Sequence, residues 1–128
     1  MIRTSSARQL ATLVADLGSD NAITRDAALA RLIVLGGRSV DRLTALVGSD
    51  AEPSARIAAL RALEAIAHPR ALEHVLAAVR STNAAVAAAA VSASRPYLRA
   101  AQGAAVVDCL TGVVMDPGAD ESVRVAAL

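Results

Sequence analysis

The sequence predicts an all-α fold built as an array of helical hairpins, and three observations carry that expectation. A short phrase recurs along the chain: TRDAAL at 24 to 29, ARIAAL at 55 to 60, VAAAAV at 86 to 91 and VRVAAL at 123 to 128. Within each copy the aliphatic side chains fall three or four apart, as in Ile57, Leu60, Leu63 and Ile66, the spacing that gathers them on one helical face. No strand pattern competes with this periodicity.

Register holds beyond the phrase itself, through Leu32, Leu63 and Ser94 and on to Leu35, Ile66 and Tyr97. Self-similarity at a fixed period means units that bury their apolar faces only by stacking on one another. After a short break each unit carries a second pattern, Val40, Leu43, Leu46 and Val47 in the first and Leu72, Val75, Leu76 and Val79 in the second. Each unit is therefore a hairpin of two helices.

The chain has 128 residues, 55% of them hydrophobic, enough for one domain with a core. Ala, Leu and Val supply that content; there is one Tyr and no Phe or Trp. Small aliphatic side chains suit helices packed closely on helices. Thirteen basic residues, all Arg, nearly balance 12 acids to leave a formal charge of +1, which offers nothing to attract a polyanion. No apolar run approaches the roughly 20 residues that cross a bilayer. The opening MIRTSSARQL lacks the apolar block of a secretory signal, and the single Cys109 excludes an internal disulfide. A cytoplasmic location is the expectation.

One domain, 1–128, is expected. A leading helix falls near 5 to 17, where Leu10, Leu13, Val14 and Leu17 keep helical spacing. The first hairpin, near 21 to 47, has helices near 21 to 35 and 39 to 47, divided by Gly36-Gly37, which can take the left-handed backbone that stops a helix. GSD at 18 to 20 and again at 48 to 50 separates hairpins. The second hairpin, near 53 to 79, has helices near 53 to 66 and 70 to 79, the latter started by Pro69. The third, near 84 to 114, has helices near 84 to 98 and 102 to 114, and Pro96 inside the first of these should bend it or end it early. A half repeat near 119 to 128 closes the chain.

The phrases SDNAITRDAALARL, SDAEPSARIAALRAL and MDPGADESVRVAAL share an Asp in the turn followed by a V-R-x-x-A-A-x-A-L pattern, and in this the chain resembles the HEAT-repeat family. The resemblance implies a right-handed α-solenoid whose second helices line a concave side. It specifies architecture, because such arrays serve many activities. The third unit departs from the pattern, having lost both the Asp and the Arg. The last unit stops after one helix with an apolar face, so further chain or a partner should cover it.

Arg25, Arg56 and Arg124 each follow an Asp of the preceding turn, Asp20, Asp50 and Asp116. These are structural repeat residues: each Arg is expected to tie turn to helix through charge-assisted hydrogen bonds. Two surfaces are expected to bind partners. One is a stripe on the second helices, Asp41, Arg42, Glu73, His74 and Asp108, with Thr12 extending it. The other is an alanine-rich outer patch around Ala85, Ala88, Ala89 and Ser92, which together with the uncapped C-terminal end is a place for self-association.

No catalytic group is expected. Cys109 aligns with the core positions Val75 and Leu43, so it reads as a packed thiol and not a nucleophile paired with His68 or His74. The two histidines are six positions apart, off the three or four that set two ligands on one helix face, so no metal and no cofactor is expected. Gly36-Gly37 is not followed by the Lys-Ser or Lys-Thr of a phosphate-binding loop. Nucleic-acid binding has only Tyr97 for base stacking. The function expected is a non-catalytic protein-protein interaction scaffold, not an enzyme. The alternative is a HEAT-type accessory subunit or lyase-like module that cradles a small molecule.

Overall fold

The computed structural model describes residues 2–128. Eight α-helices follow one another: α1 (Ile2–Asp16), α2 (Ala22–Leu35), α3 (Val40–Val47), α4 (Pro53–Ile66), α5 (Leu72–Ala78), α6 (Ala84–Ser94), α7 (Gly103–Met115) and α8 (Glu121–Ala127). There is no strand among the described residues. The first helices α2, α4, α6 and α8 pack in sequence as one layer, while α1, α3 and α5 pack as a second. The result is an α-solenoid of HEAT-like hairpins.

Local chemistry explains the boundaries. Asn21 caps α2, its side-chain oxygen accepting from the N–H groups of Ile23 (2.9 Å) and Thr24 (3.3 Å), and Asn83 does the same for α6 from Ala85 (3.0 Å) and Val86 (3.1 Å). Pro53 opens α4 at the position where its missing N–H costs nothing. Gly36 ends α2 with φ +58°. Ala67 ends α4 with φ 51°, a left-handed conformation that costs a non-glycine residue roughly 1–2 kcal/mol.

The short 3₁₀ segments inside the hairpins were less legible. Pro69–Ala71 forms one turn ahead of α5. In the third unit the α-helix ends at Ser94, and Pro96 sits in a 3₁₀ turn, Arg95–Arg99. Proline cannot donate back to the preceding turn, which accounts for the early end. Gly103 then starts α7 against the previous turn so closely that a Cβ there would collide with the Leu98 carbonyl.

The core runs between the layers, with Leu17, Leu32, Leu43, Leu60, Leu63, Val75, Val86, Val91 and Val106 wholly buried. Its buried serine and threonine hydroxyls are satisfied locally, Thr44 donating to Asp41 O at 3.0 Å. Ser39 donates to Leu32 O (3.0 Å) and Gly36 O (2.8 Å), and Ser94 to Val91 O (2.7 Å).

The inner turns are stitched to one another. Tyr97, buried, donates its hydroxyl to His68 O at 2.6 Å, and Arg70 Nη2 reaches Gly37 O at 3.4 Å. His68 also accepts the Arg70 N–H at Nδ1 (3.1 Å), which starts the 3₁₀ turn. Three successive hairpin turns are thus linked through backbone carbonyls.

Candidate functional site

Thr12, Asp41, Arg42, Glu73, His74 and Asp108 lie exposed on α1, α3, α5 and α7, the helices that follow one another on the second-helix side. Helical spacing explains the placement: Leu43 and Val75 turn inward, so the residues just before them point away from the core. Asp41 meets Arg70 at 3.4 Å, an ion pair open to water on both sides and worth little to stability. Thr12 spends its hydroxyl on Arg8 O within α1 (2.9 Å). What remains is a row of solvated groups of both signs, Arg42, Glu73, His74 and Asp108.

The row is not continuous. α3 and α5 pack together, whereas α5 and α7 scarcely touch. Cys109, on α7, is half-buried, unlike Leu43 and Val75, which are wholly enclosed. Burial pushes its thiol above the ordinary cysteine range, and the nearby Arg80 charge pulls it part of the way back. Among the described residues no group of His, Cys, Asp and Glu is arranged to hold a metal.

On the other layer, α6 lies between α4 and α8 and also packs on α5. Val86, Ala87, Ala90, Val91, Ala93 and Ser94 are buried in it. Of the outer group, Ala85 and Ser92 are exposed while Ala88 and Ala89 are half-buried. Ser92 donates its hydroxyl to Glu64 Oε1 at 2.7 Å, which ties α6 to α4.

The repeat arginines bond to backbone and not to the aspartates that precede them. Arg25 Nη1 donates to Ser19 O (3.1 Å), Arg56 Nε to Val47 O (3.0 Å) and Arg124 Nε to Val114 O (3.2 Å). The acceptors lie at or just beyond the C-terminal ends of the preceding helices, where carbonyls lack helical partners and the helix dipole favours a cation. Asp20, Asp50 and Asp116 are exposed, and no ion pair joins them to an arginine among the described residues. Asp116 instead turns its own loop, accepting the Gly118 N–H at 2.9 Å.

The C-terminal end presents apolar side chains. Val107 is 52% exposed and Met115 75%, and with Leu98, Leu110, Val114 and Leu128 they line an open cleft of about 370 Å³. Sequence reading marked the apolar face of the last helix but missed the contribution of Leu98, Val107 and Met115. Their exposure follows from how α7 sits on the 3₁₀ turn before it, which the helical spacing of α7 alone does not reveal.

The sequence matches no family model and no curated protein. In structure the chain is similar to a chain of the complex of CpcE and CpcF of phycocyanin lyase from Nostoc sp. PCC7120, with a TM-score of 0.75 and 26% identity, covering 94% of this chain and 75% of that one. The expectation of a chain that is not an enzyme is corrected by this likeness, since the solenoid it shares is that of a lyase component. That expectation rested on the lack of a compact catalytic cluster in the sequence, which does not bear on what a solenoid of this kind does as part of a complex.

Proposed function

We propose that the chain is a divergent HEAT-repeat subunit of a lyase-type enzyme, acting in the cytoplasm beside a second protein chain and cradling a small molecule or prosthetic group along its second helices. The observation that carries this reading is the shared structure over 94% of the chain with a component of a phycocyanin lyase complex.

The exposed row supplies suitable chemistry. Arg42 can hold a carboxylate through two parallel N–H donors, His74 can give or take a proton, and Asp108 and Glu73 can accept from N–H groups. The opening between α5 and α7 lets a flat group lie against the array. The apolar surface around Leu98, Val107 and Met115 is where the second chain packs, because association of this kind removes exposed aliphatic area from water.

Affinity purification of the tagged chain from its native host, with mass spectrometry, tests the reading directly. A second repeat protein should co-purify, and the recovered assembly should change the visible absorbance of added phycocyanin. Arg42→Ala with His74→Ala should suppress that change while helicity stays intact. Recovery of the chain alone together with an unaltered phycocyanin spectrum would overturn the proposal.

A further inference from the structure

At the matched position of the repeat phrase, Arg25, Arg56 and Arg124 each place a guanidinium in the corner between the end of one second helix and the start of the next first helix. The remaining copy, α6, has Ala87 there, only 2% exposed. The corner it faces is an open cleft of about 480 Å³, lined among others by Val79, Arg80, Ala87, Gly112, Asp116 and Asp120. That volume lies within the span of roughly 300–1,000 Å³ usual for ligand sites.

Two departures from the repeat open it together. Ala87 replaces the arginine, and Gly112 stands where the other second helices have Leu46 and Ala78. A Cβ built on Gly112 meets nothing within 4 Å, so close packing does not require glycine there. Val79 and Arg80, which follow α5, and Gly112 and Val113 of α7 all line it.

The charge of the cleft matches what is missing. Asp116 Oδ1 accepts from Gly118 N–H (2.9 Å), and Asp120 Oδ1 accepts from the Ser122 N–H (2.9 Å) and hydroxyl (2.6 Å). Both carboxylates are exposed, and Asp120 is held further by the backbone N–H of Val123. The Ser122 bonds also hold Asp120 below the ordinary carboxylate range, so it stays charged. Arg80 is the one cation in the lining, against these two acids.

We propose that this cleft receives an arginine side chain from a partner protein, whose guanidinium occupies the corner that the chain's own arginine fills at the other junctions and lies against Asp116 and Asp120. A planar guanidinium suits it better than an ammonium, because it can face a carboxylate through two N–H groups while another donates to backbone. The inference rests on repeat register and cleft geometry, and stands whether or not the lyase reading does.

NMR titration of the full ¹⁵N-labelled chain tests it with a short Gly-Ser peptide carrying one arginine, and with the same peptide carrying lysine. The arginine peptide should shift the amides of Ala87, Gly112 and Gly118 saturably, and the lysine peptide should bind roughly tenfold more weakly. Ala87→Arg should fill the corner from within and abolish the shifts. Gly112→Leu, which installs the residue found at position 46, should block the cleft from the other side and serves if the first variant does not fold. Absence of saturable shifts, equal binding of the lysine peptide, or undiminished binding in a folded blocking variant would overturn the proposal.

Discussion

The second and third hairpins are built on one register and yet hold together differently. In the second, Arg56 anchors α4 to the end of α3, and α5 packs on α3. In the third, Ala87 leaves the corresponding corner open, the 3₁₀ turn at Pro96 shortens the first helix, and α7 stands apart from α5. The contrast teaches that a repeat separates its structural devices from its specific ones. What recurs holds the array, and what departs makes surfaces that the array alone does not need.

The comparison can be broken most severely in the core that both hairpins share. Leu63→Ala in α4 should lower stability by about 2–5 kcal/mol, since a wholly buried leucine leaves a cavity that stacked helices cannot easily close; urea denaturation measures it. Gly103→Ala should cost about 1–3 kcal/mol, because the new methyl meets the Leu98 carbonyl, and the loss should concentrate in α7 and α8. Amide exchange resolved along the chain checks that location.

Smaller effects sharpen the contrast. Arg56→Ala should cost about 1 kcal/mol, the low end for a charge-assisted bond because the side chain is only partly buried, and it should turn the second junction into a copy of the third. Tyr97→Phe should cost about 1 kcal/mol in thermal denaturation, chiefly by leaving the His68 carbonyl without its donor. The smallest effect is in pH. Asp120 has a folded-state pKa below its ordinary 3.8, so its contribution is fully present above that value and disappears as pH falls through the lower, folded one. Asp120→Asn should therefore lower the plateau near neutrality slightly and flatten the acid limb of the melting curve, with the two proteins converging at low pH.

Much of the architecture could be read from the residues. The spacing of Ile57, Leu60, Leu63 and Ile66 locates a helix because burial enforces that period, and Pro96 marks an early end because its ring removes a donor. The acceptors of Arg25, Arg56 and Arg124 could not be read from the sequence. A recurring Asp before each Arg suggests an ion pair, but a helix end offers carbonyls at shorter reach, and backbone acceptors carry no signature in sequence. The stripe of Arg42, His74 and Asp108 follows from register alone, whereas the opening beside it depends on the angle at which α7 leaves the turn after Tyr97. The close approach of Gly103 to the Leu98 carbonyl at that turn is a property of the backbone of two segments at once. The expectation of no catalysis is corrected by the likeness to a lyase component, which rests on shared fold and has no local motif in the sequence to announce it.

Tyr97 has one more consequence. It is the chain's sole aromatic residue, and its phenol is fastened to the turn of the neighbouring hairpin at the seam where the second unit meets the third. The ultraviolet emission of the unmodified protein therefore comes from a single known position. Any ligand, partner or temperature change that parts those two hairpins will register in that signal, with no dye or added tryptophan to disturb the array.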